Sequence, residues 1–334
     1  MKILITGASG FIGSFIVSEA INRGYETWAG IRATSSKKYL PFDTLQYIDF
    51  DYSNKEKLVE LLNKQKSENG KWDVIVHNMG LTKNDDKDGF DRVNYRYTRN
   101  FIEALIEADM APEQFVYMSS LSAFGPGNPD GKTEIKLSDT PQPNTLYGKS
   151  KLKTEEFLRS LNNFNYTILR PTGVYGPREK DYFVMLQTLS RHINPAIGFK
   201  PQYITFIYVK DLVNAIYLAI EKRAIGKAYF VADGDVWTSD QYAALAKKLL
   251  GVKLTVPLKV PCFLVKGLSY TLDTVCGWFG KTPTLNKDKY NILSVLNWKC
   301  ETGPLKDDLG FKAEYPLERG LQECIDWYRK EGWL

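Results

Sequence analysis

The sequence is poor in the residues that build metal centres and disulfide frameworks. It contains 2 histidines and 4 cysteines in 334 residues. His77 has no cysteine or aspartate partner in motif spacing, and the cysteines form no C-x-x-C pair. These spacings favour neither a metal site nor a redox pair. We therefore expect no bound metal, and thiols that stay buried or free in a reducing compartment.

Long apolar runs and dense blocks of charge are also missing. No apolar stretch approaches the ~20 residues that span a bilayer, and the first predicted strand begins at Lys2, which leaves no room for a signal peptide. The net charge of +5 is spread over 44 basic and 39 acidic residues. This balance favours no nucleic-acid partner. We expect a cytoplasmic protein without a membrane partner.

The most apolar part of the carboxyl-terminal third is residues 260–279. Lys266, Ser269 and Asp273 interrupt it, so it does not read as a membrane span. Its aliphatic residues recur at helical spacing: Leu264, Leu268, Leu272 and Val275. The spacing predicts a helix whose apolar face lies against the core or lines a pocket; contact of this helix with a membrane is the alternative.

The amino terminus carries the motif around which the chain is organised. Residues 3–5 are an apolar run that predicts a buried strand, and glycines follow at three-residue spacing before a helical pattern. Such a turn leaves backbone N–H groups and the positive end of the helix dipole open to a pyrophosphate. An ordinary glycine turn is the alternative, because the spacing differs from the common G-x-G-x-x-G. The predicted dinucleotide-binding residues here are Gly7, Ser9, Gly10, Phe11, Ile12 and Gly13.

The second predicted strand, residues 26–31, runs into Arg32. A carboxylate at this place normally accepts the ribose 2′-hydroxyl of NAD. Here Arg32, with Lys37 and Lys38 nearby, supplies cations suited to a 2′-phosphate. The sequence therefore predicts NADP rather than NAD; an exposed arginine in a polar loop is the alternative.

Short apolar strands alternate with amphipathic helices as far as strand six, residues 166–169. This βαβα pattern predicts an α/β fold with a doubly wound parallel sheet of the Rossmann type. Ligands collect at the carboxyl ends of such strands, where Asp51 and Gly80 lie. Asp51 either accepts a hydrogen bond from the adenine or caps the next helix. Tyr52 and Gly80 complete the predicted cofactor residues on these strands.

The alternation weakens after residue 175, which suggests two domains. We predict that residues 1–175, rejoined by 206–231, form the dinucleotide-binding domain. Residues 176–205 and 232–334 would form a smaller, mixed and mainly helical lobe that binds a small-molecule substrate.

Tyr147 and Lys151 are four residues apart on a predicted helix and so share one face. A phenol has a pKa near 10, and one cation about 4 Å away at an effective dielectric of ~20 contributes about 4 kcal/mol, enough to lower it by about three pH units. Tyr147 thus becomes a candidate general acid and base. Ser120, after the fifth strand, would hold the substrate oxygen. A surface pair on an amphipathic helix is the alternative.

These motifs resemble the extended short-chain dehydrogenase/reductase superfamily, in particular its NAD(P)-dependent epimerase/dehydratase group. The resemblance runs from residue 1 to about residue 220 and rests on Gly7-x-x-Gly10-x-x-Gly13, Ser119-Ser120, Tyr147-x-x-x-Lys151 and Leu169-Arg-Pro171. It implies that Ser120 and Tyr147 are catalytic and that Lys151 also binds the nicotinamide ribose. It further implies that Pro171 to Val174 line the nicotinamide, and that a homodimer is possible.

Two departures from the superfamily narrow the predicted activity. Leu121 and Ser122 occupy the place where the sugar dehydratases carry an acidic residue, so dehydration is disfavoured. Residues 203–211 lack the arginine that nucleotide-sugar members place there, although Lys200 or Arg178 could substitute. The Ile31-Arg32 pair looks more like the hydroxysteroid dehydrogenase and dihydroflavonol reductase branch.

We therefore predict an NAD(P)-dependent oxidoreductase that interconverts a secondary alcohol and a ketone. A nucleotide-sugar 4-epimerase with tightly bound NAD is the alternative within the enzymes. A non-catalytic protein that senses a dinucleotide is the alternative of another class.

Overall fold

The computed structural model describes residues 1–83, 88–278, 283 and 285–334. The chain divides into two compact units. Unit 1 comprises Met1–Ala123, Leu146–Arg170 and Val213–Tyr229. Unit 2 comprises Phe124–Thr145, Pro171–Leu212 and Phe230–Leu334. The substrate-binding and cofactor-binding roles that we assigned to two domains stay predictions.

The unit boundaries differ from the predicted domain boundaries at residues 124–145, 171–175, 206–212 and 230–231, all of which cluster with unit 2. For residues 124–145 the reason is a set of long-range backbone hydrogen bonds. Gly127 N–H donates to Asn297 O, and Ile135 N–H donates to Lys299 O. A loop of this composition carries no periodic signal that would reveal partners more than 150 residues away.

Thirteen strands and eleven α-helices form the described structure. The strands are β1 (Lys2–Thr6), β2 (Glu26–Gly30), β3 (Gln46–Ile48), β4 (Val74–His77), β5 (Gln114–Met118), β6 (Tyr166–Pro171), β7 (Gly173–Tyr175), β8 (Ile193–Ile197), β9 (Tyr203–Ile204), β10 (Phe206–Tyr208), β11 (Ala228–Val231), β12 (Trp237–Thr238) and β13 (Val256–Val260). The helices are α1 (Phe11–Asn22), α2 (Lys55–Asn69), α3 (Thr98–Glu107), α4 (Leu146–Ser160), α5 (Asp181–Ser190), α6 (Val209–Glu221), α7 (Ser239–Leu250), α8 (Cys262–Trp278), α9 (Lys287–Leu293), α10 (Gly303–Leu309) and α11 (Leu317–Lys330). A π-helix (Asp91–Tyr97) and a 3₁₀ turn (Leu121–Ala123) complete the set.

A seven-stranded sheet has the order β11-β6-β5-β4-β1-β2-β3. The strands from β6 to β3 pair in parallel; Ile3, for example, is in register with Thr27 on one side and Val74 on the other. The predicted α/β fold with a doubly wound parallel sheet is confirmed. Because parallel strands end at the same edge, the segments after β1, β2, β4 and β5 lie side by side.

The sheet is buried on both faces, which explains the continuous apolar runs of its central strands. Leu4, Ile75 and Phe115 have no exposed surface and belong to one apolar cluster with residues of α2 and α3. Trp28 and Trp72 meet edge to face with ring centroids 6.2 Å apart. Truncating a core side chain such as Ile75 to alanine costs about 2 to 5 kcal/mol.

Unit 2 contains three two-stranded sheets and most of the later helices. β7 pairs with β10 and β13 with β8 in parallel, whereas β12 and β9 are antiparallel. The predicted helical character of the carboxyl-terminal region is confirmed. Aromatic side chains supply much of its core; Phe206 and Tyr242, for example, stack at 5.3 Å.

The predicted helix in residues 260–279 forms as α8, but the prediction of its inward face is wrong. Leu264, Leu268 and Val275 are exposed, whereas Val265 and Ser269 are buried. Helical spacing gives a face, and which face is covered depends on the neighbouring elements. Residue 279 lies outside the described residues.

Three further observations concern the cysteines, possible metal ligands and possible membrane-spanning helices. Cys262, Cys276, Cys300 and Cys324 are free thiols. Among the residues that the structure describes, no three histidine, cysteine or acidic side chains are grouped as metal ligands would be. Within those same residues, no helix combines the length and apolar character needed to cross a bilayer.

Candidate active site

The glycine turn after β1 is closed in a way that only glycine permits. Gly7 has φ +65°, and a Cβ there would lie 2.9 Å from Asn78 O. A Cβ on Gly13 would lie 2.1 Å from Gly7 O, so the first turn of α1 packs directly on the loop. Gly10 is the N-cap of α1 and offers no side-chain cap. The N–H groups at the start of this helix therefore remain available to an anion.

This turn fits the pyrophosphate of a dinucleotide. The bare backbone at Gly7 and Gly10 forms a cradle that a Cβ would narrow, and the dipole of α1 favours negative charge there. Ser9, Phe11 and Ile12 are all half-buried in the same turn.

Arg32 follows β2 by two residues and is exposed. Its backbone N–H donates to Ser35 Oγ. Within the described part of the chain, its guanidinium has no ion pair or hydrogen bond, whereas Lys37 lies over the Tyr47 ring at 3.9 Å. Arg32 is thus a cation at the edge of the sheet, and none of the described residues is its counterion.

Asp51 does not cap α2, which settles one of the two alternatives for this residue. Asn54 is the N-cap and accepts a hydrogen bond from Lys57 N–H at 2.9 Å. Asp51 accepts from the backbone and hydroxyl of Ser53, and these bonds lower its pKa. Its predicted contact with adenine stays a prediction. The Tyr52 ring packs against Phe101 at 5.4 Å. The predicted contact of Tyr52 with the cofactor stays a prediction.

His77 ends β4 but turns its ring into the core of unit 1. Its nitrogens lie 3.0 Å from Thr6 Oγ1 and 3.0 Å from Thr98 Oγ1, and the ring stacks on Phe101. Burial, with a smaller contribution from the charge of Lys151, lowers the His77 pKa to about 3. The imidazole is therefore neutral at physiological pH and serves as a packing residue.

Gly80 and Lys151 meet beside the carboxyl end of β4. A Cβ on Gly80 would lie 3.1 Å from Lys151 Nζ and 3.2 Å from Asn94 Oδ1. The Asn94 amide is fully buried, accepts from Leu81 N–H at 2.7 Å and donates to Ser150 Oγ at 3.0 Å. It thereby ties the loop after β4 to α4. A Cβ at this point would require the ammonium or the amide to shift by a few tenths of an ångström.

The side chains of Tyr147 and Ser120 lie within hydrogen-bonding reach of each other. Ser120 lies just after β5, and Tyr147 lies in the first turn of α4. The Phe90 ring covers Tyr147 edge to face at 6.1 Å. The structure therefore brings together the hydroxyl groups of the two predicted catalytic residues.

The predicted acidification of Tyr147 by Lys151 is wrong for the chain by itself. Burial raises the pKa of Tyr147, and the hydrogen bond from Ser120 offsets only part of that rise. Lys151 Nζ instead donates to Met118 O at 2.8 Å. The helical spacing of four places both residues on one face, but the carbonyl at the end of β5 takes the ammonium. Tyr147 is consequently protonated near neutral pH.

Lys151 is 4% exposed, and burial lowers its pKa to about 8 although the charge of Glu155 acts to raise it. The ammonium also lies 4.9 Å from the centre of the Tyr117 ring. Lys151 is therefore a cation at neutral pH and becomes neutral in mildly alkaline solution.

A comparison with protein families agrees with this arrangement. The model of the NAD dependent epimerase/dehydratase family matches residues 3–232, more than half of the chain. The chain belongs to this family. The prediction of an NAD(P)-dependent dehydrogenase, reductase or epimerase of the extended short-chain type is confirmed.

Relatives within the family include both dehydrogenases and epimerases. A 3-beta-hydroxysteroid dehydrogenase of Mycolicibacterium neoaurum is 25% identical over 98% of this chain and 91% of its own length. A UDP-glucose 4-epimerase of Vibrio cholerae is 28% identical over 89% of this chain and 90% of its own length. The crystal structure of UDP-glucose 4-epimerase from Thermotoga maritima with UDP-glucose superimposes with a TM-score of 0.78, at 21% identity and 99% coverage of each chain. This last likeness concerns the fold alone.

A buried ion pair supports the predicted catalytic segment in unit 1. Arg170 Nε and Nη2 donate to the two Glu155 carboxylate oxygens at 2.9 and 2.7 Å, and Ser119 Oγ donates to the same carboxylate. Both charged side chains are at most 1% exposed. The pair links the ends of β5 and β6 to α4, one helical turn beyond Lys151. Arg170 belongs to a motif that the sequence shows, whereas the roles of Glu155 and Asn94 depend on burial, which no spacing reveals.

Pro171 and Val174 lie in unit 2. Pro171 ends β6, and Val174 pairs with Ile207 in β7 and β10. Their predicted contact with the nicotinamide stays a prediction.

Proposed function

We propose that this protein is an NADP-dependent oxidoreductase that interconverts a bulky apolar ketone and its secondary alcohol. The observation that carries the proposal is the approach of the Ser120 and Tyr147 side chains, with the buried Lys151 cation one turn further along the helix of Tyr147. We assign the catalytic roles to these three residues. A bound nicotinamide dinucleotide would supply the hydride in reduction and accept it in oxidation.

The protonation states favour ketone reduction at neutral pH. Because the pKa of Tyr147 is raised, its hydroxyl carries a proton that it can donate to a carbonyl oxygen as that oxygen gains negative charge. Ser120 would donate a second hydrogen bond to the same oxygen. Carbon gains the hydride, oxygen gains the tyrosine proton, and the product is the alcohol. Lys151, a buried cation whose ammonium donates to Met118 O, is assigned to binding the ribose of the nicotinamide.

The preference for NADP rests on Arg32, a cation without a protein counterion in the described part of the chain. A guanidinium binds a phosphate through two parallel hydrogen bonds. Arg32→Gln should weaken binding of NADPH far more than binding of NADH, as measured by titration of each dinucleotide.

Two observations support an apolar substrate: one segment has no arginine, and one relative is a hydroxysteroid dehydrogenase. Residues 203–211 hold no arginine to bind a diphosphate. A hydroxysteroid dehydrogenase matches nearly the whole chain. Both favour a substrate without a nucleotide.

The test is oxidation of NADPH, followed by its absorbance, with a panel of steroid and long-chain ketones. We expect Tyr147→Phe to lower turnover by about 10² to 10⁴ while thermal stabilisation by NADPH persists. Tyr166→Phe is the matched control, because Tyr166 lies at the opposite, amino-terminal end of β6. Full activity in Tyr147→Phe would refute the catalytic assignment.

The second candidate is a nucleotide-sugar 4-epimerase with tightly bound NAD, favoured by the 28% identical Vibrio cholerae relative. It predicts that the purified protein releases NAD on denaturation and converts UDP-glucose without net consumption of dinucleotide. Fractionation of cells and sedimentation would test the proposed cytoplasmic location and homodimer.

A further inference from the structure

Exposed apolar side chains concentrate in one part of unit 2. In and just before β13, Leu254 is 81% exposed, Val256 is 67% exposed and Leu258 is 51% exposed. Alternate residues of a strand point to the same side of a sheet. These three therefore form a row of large aliphatic side chains in water.

The partner strand extends this row. β8 pairs with β13 in parallel, with Ile193 opposite Val256 and Pro195 opposite Leu258. Paired residues of adjacent strands share a face of the sheet. One whole face of the two-stranded sheet is therefore apolar.

Helix α8 follows β13 after one proline and adds a second exposed apolar row. Phe263 is 72% exposed, and Leu264 and Leu268 are more than half exposed. Leu264 and Leu268 are one turn apart on one side, whereas Val265 and Ser269 form the buried side. We name the two rows together the apolar patch: Leu254, Val256, Leu258, Phe263, Leu264 and Leu268.

The segments that carry the apolar patch also have an excess of basic residues. Residues 191–200 and 252–278 contain five basic side chains and one acidic side chain, Asp273, and so have a net charge of +4 of the +5 of the whole chain. The basic residues are Arg191, Lys200, Lys253, Lys259 and Lys266. All five are exposed.

We propose that the apolar patch docks on an anionic lipid surface. Aliphatic and aromatic side chains enter the boundary between headgroups and acyl chains, and lysines on long stems stay among the anionic headgroups. A second copy of this chain is a poorer occupant, because a two-fold contact through this face would bring equal positive charges together. The proposal departs from our sequence-based expectation of no membrane partner, and it concerns a peripheral contact.

The test is sedimentation of the full chain with vesicles, with the bound fraction measured at several lipid concentrations. Vesicles of phosphatidylcholine alone are compared with vesicles that also contain phosphatidylglycerol. We expect binding to the anionic vesicles only, weakened by added salt because the lysine contribution is screened.

Two sets of variants separate the apolar and the charged contributions. The triple variant Phe263→Ser, Leu264→Ser, Leu268→Ser should lose binding, whereas Ile106→Ser, an exposed apolar residue of unit 1, should not. Lys253→Gln, Lys259→Gln and Lys266→Gln should each weaken binding about fivefold. The matched controls are Lys64→Gln, Lys222→Gln and Lys312→Gln, which remove the same charge at positions exposed elsewhere on the chain.

Circular dichroism of every variant checks the fold, and the lysine variants keep the test valid if the serine variant does not fold. The proposal is overturned if the native chain does not bind anionic vesicles, as an acidic protein partner would predict. It is equally overturned if sedimentation velocity shows a dimer that the serine variant dissociates. The readout is independent of turnover, so its failure leaves the proposed function intact.

Discussion

Replacing Lys151 by methionine should make the protein more stable while removing a group that the proposed chemistry needs. The Lys151 pKa lies at about 8, below the ordinary 10.5, because the ammonium is buried. One pH unit corresponds to about 1.4 kcal/mol. Holding the charge in the folded chain at pH 7 therefore costs about 3 kcal/mol. Methionine has nearly the same length and no charge.

The gain is smaller than this cost because one contact is lost. Met118 O accepts from Lys151 Nζ at 2.8 Å, and a buried carbonyl without a donor costs about 1 kcal/mol. We expect Lys151→Met to raise the free energy of unfolding at pH 7 by about 2 kcal/mol. The exposed Lys149, on the same helix, is the control, and Lys149→Met should change stability by less than about 0.5 kcal/mol.

The pH dependence gives the sharper test. Between pH 8 and pH 10.5 the unfolded chain binds the lysine proton and the folded chain does not, so the native protein becomes more stable as pH rises. The advantage of Lys151→Met should therefore shrink to about zero near pH 9.5. Urea unfolding without dinucleotide measures both values. An advantage of equal size at pH 7 and about pH 9.5, or a variant that is less stable at pH 7, would refute the reasoning.

Three other substitutions test the geometry of the two units. Gly13→Ala should abolish dinucleotide binding in a calorimetric titration, because its Cβ would lie 2.1 Å from Gly7 O; tight binding would contradict the cradle. Glu155→Gln leaves the buried Arg170 charge without its carboxylate and should cost about 3 to 5 kcal/mol in urea unfolding. Burial raises the pKa of Asp233 to about 7, so the folded chain binds its proton more tightly and stability falls as pH rises from 4 to 7. Asp233→Asn should remove this fall, and an unchanged pH profile would count against it.

The glycine turn and the strands of the parallel sheet could be predicted from the sequence. Gly7 and Gly13 stand where a Cβ would strike backbone, so their identities report the turn directly. The predicted strands at residues 3–5 and 166–169 are present in the structure as β1 and β6. These signals depend on residues that are close together in the chain, so the sequence alone is enough to show them.

Only the tertiary structure decided which side chains are buried and how burial and distant contacts shift their pKa values. Lys151 was expected to acidify Tyr147, but the Met118 carbonyl takes its ammonium and burial raises the tyrosine pKa. Residues 260–279 were expected to face the core or a pocket, but α8 leaves Leu264 and Leu268 exposed. Periodicity specifies which residues share a face, whereas burial, and the pKa values that follow from it, depend on which element packs against that face.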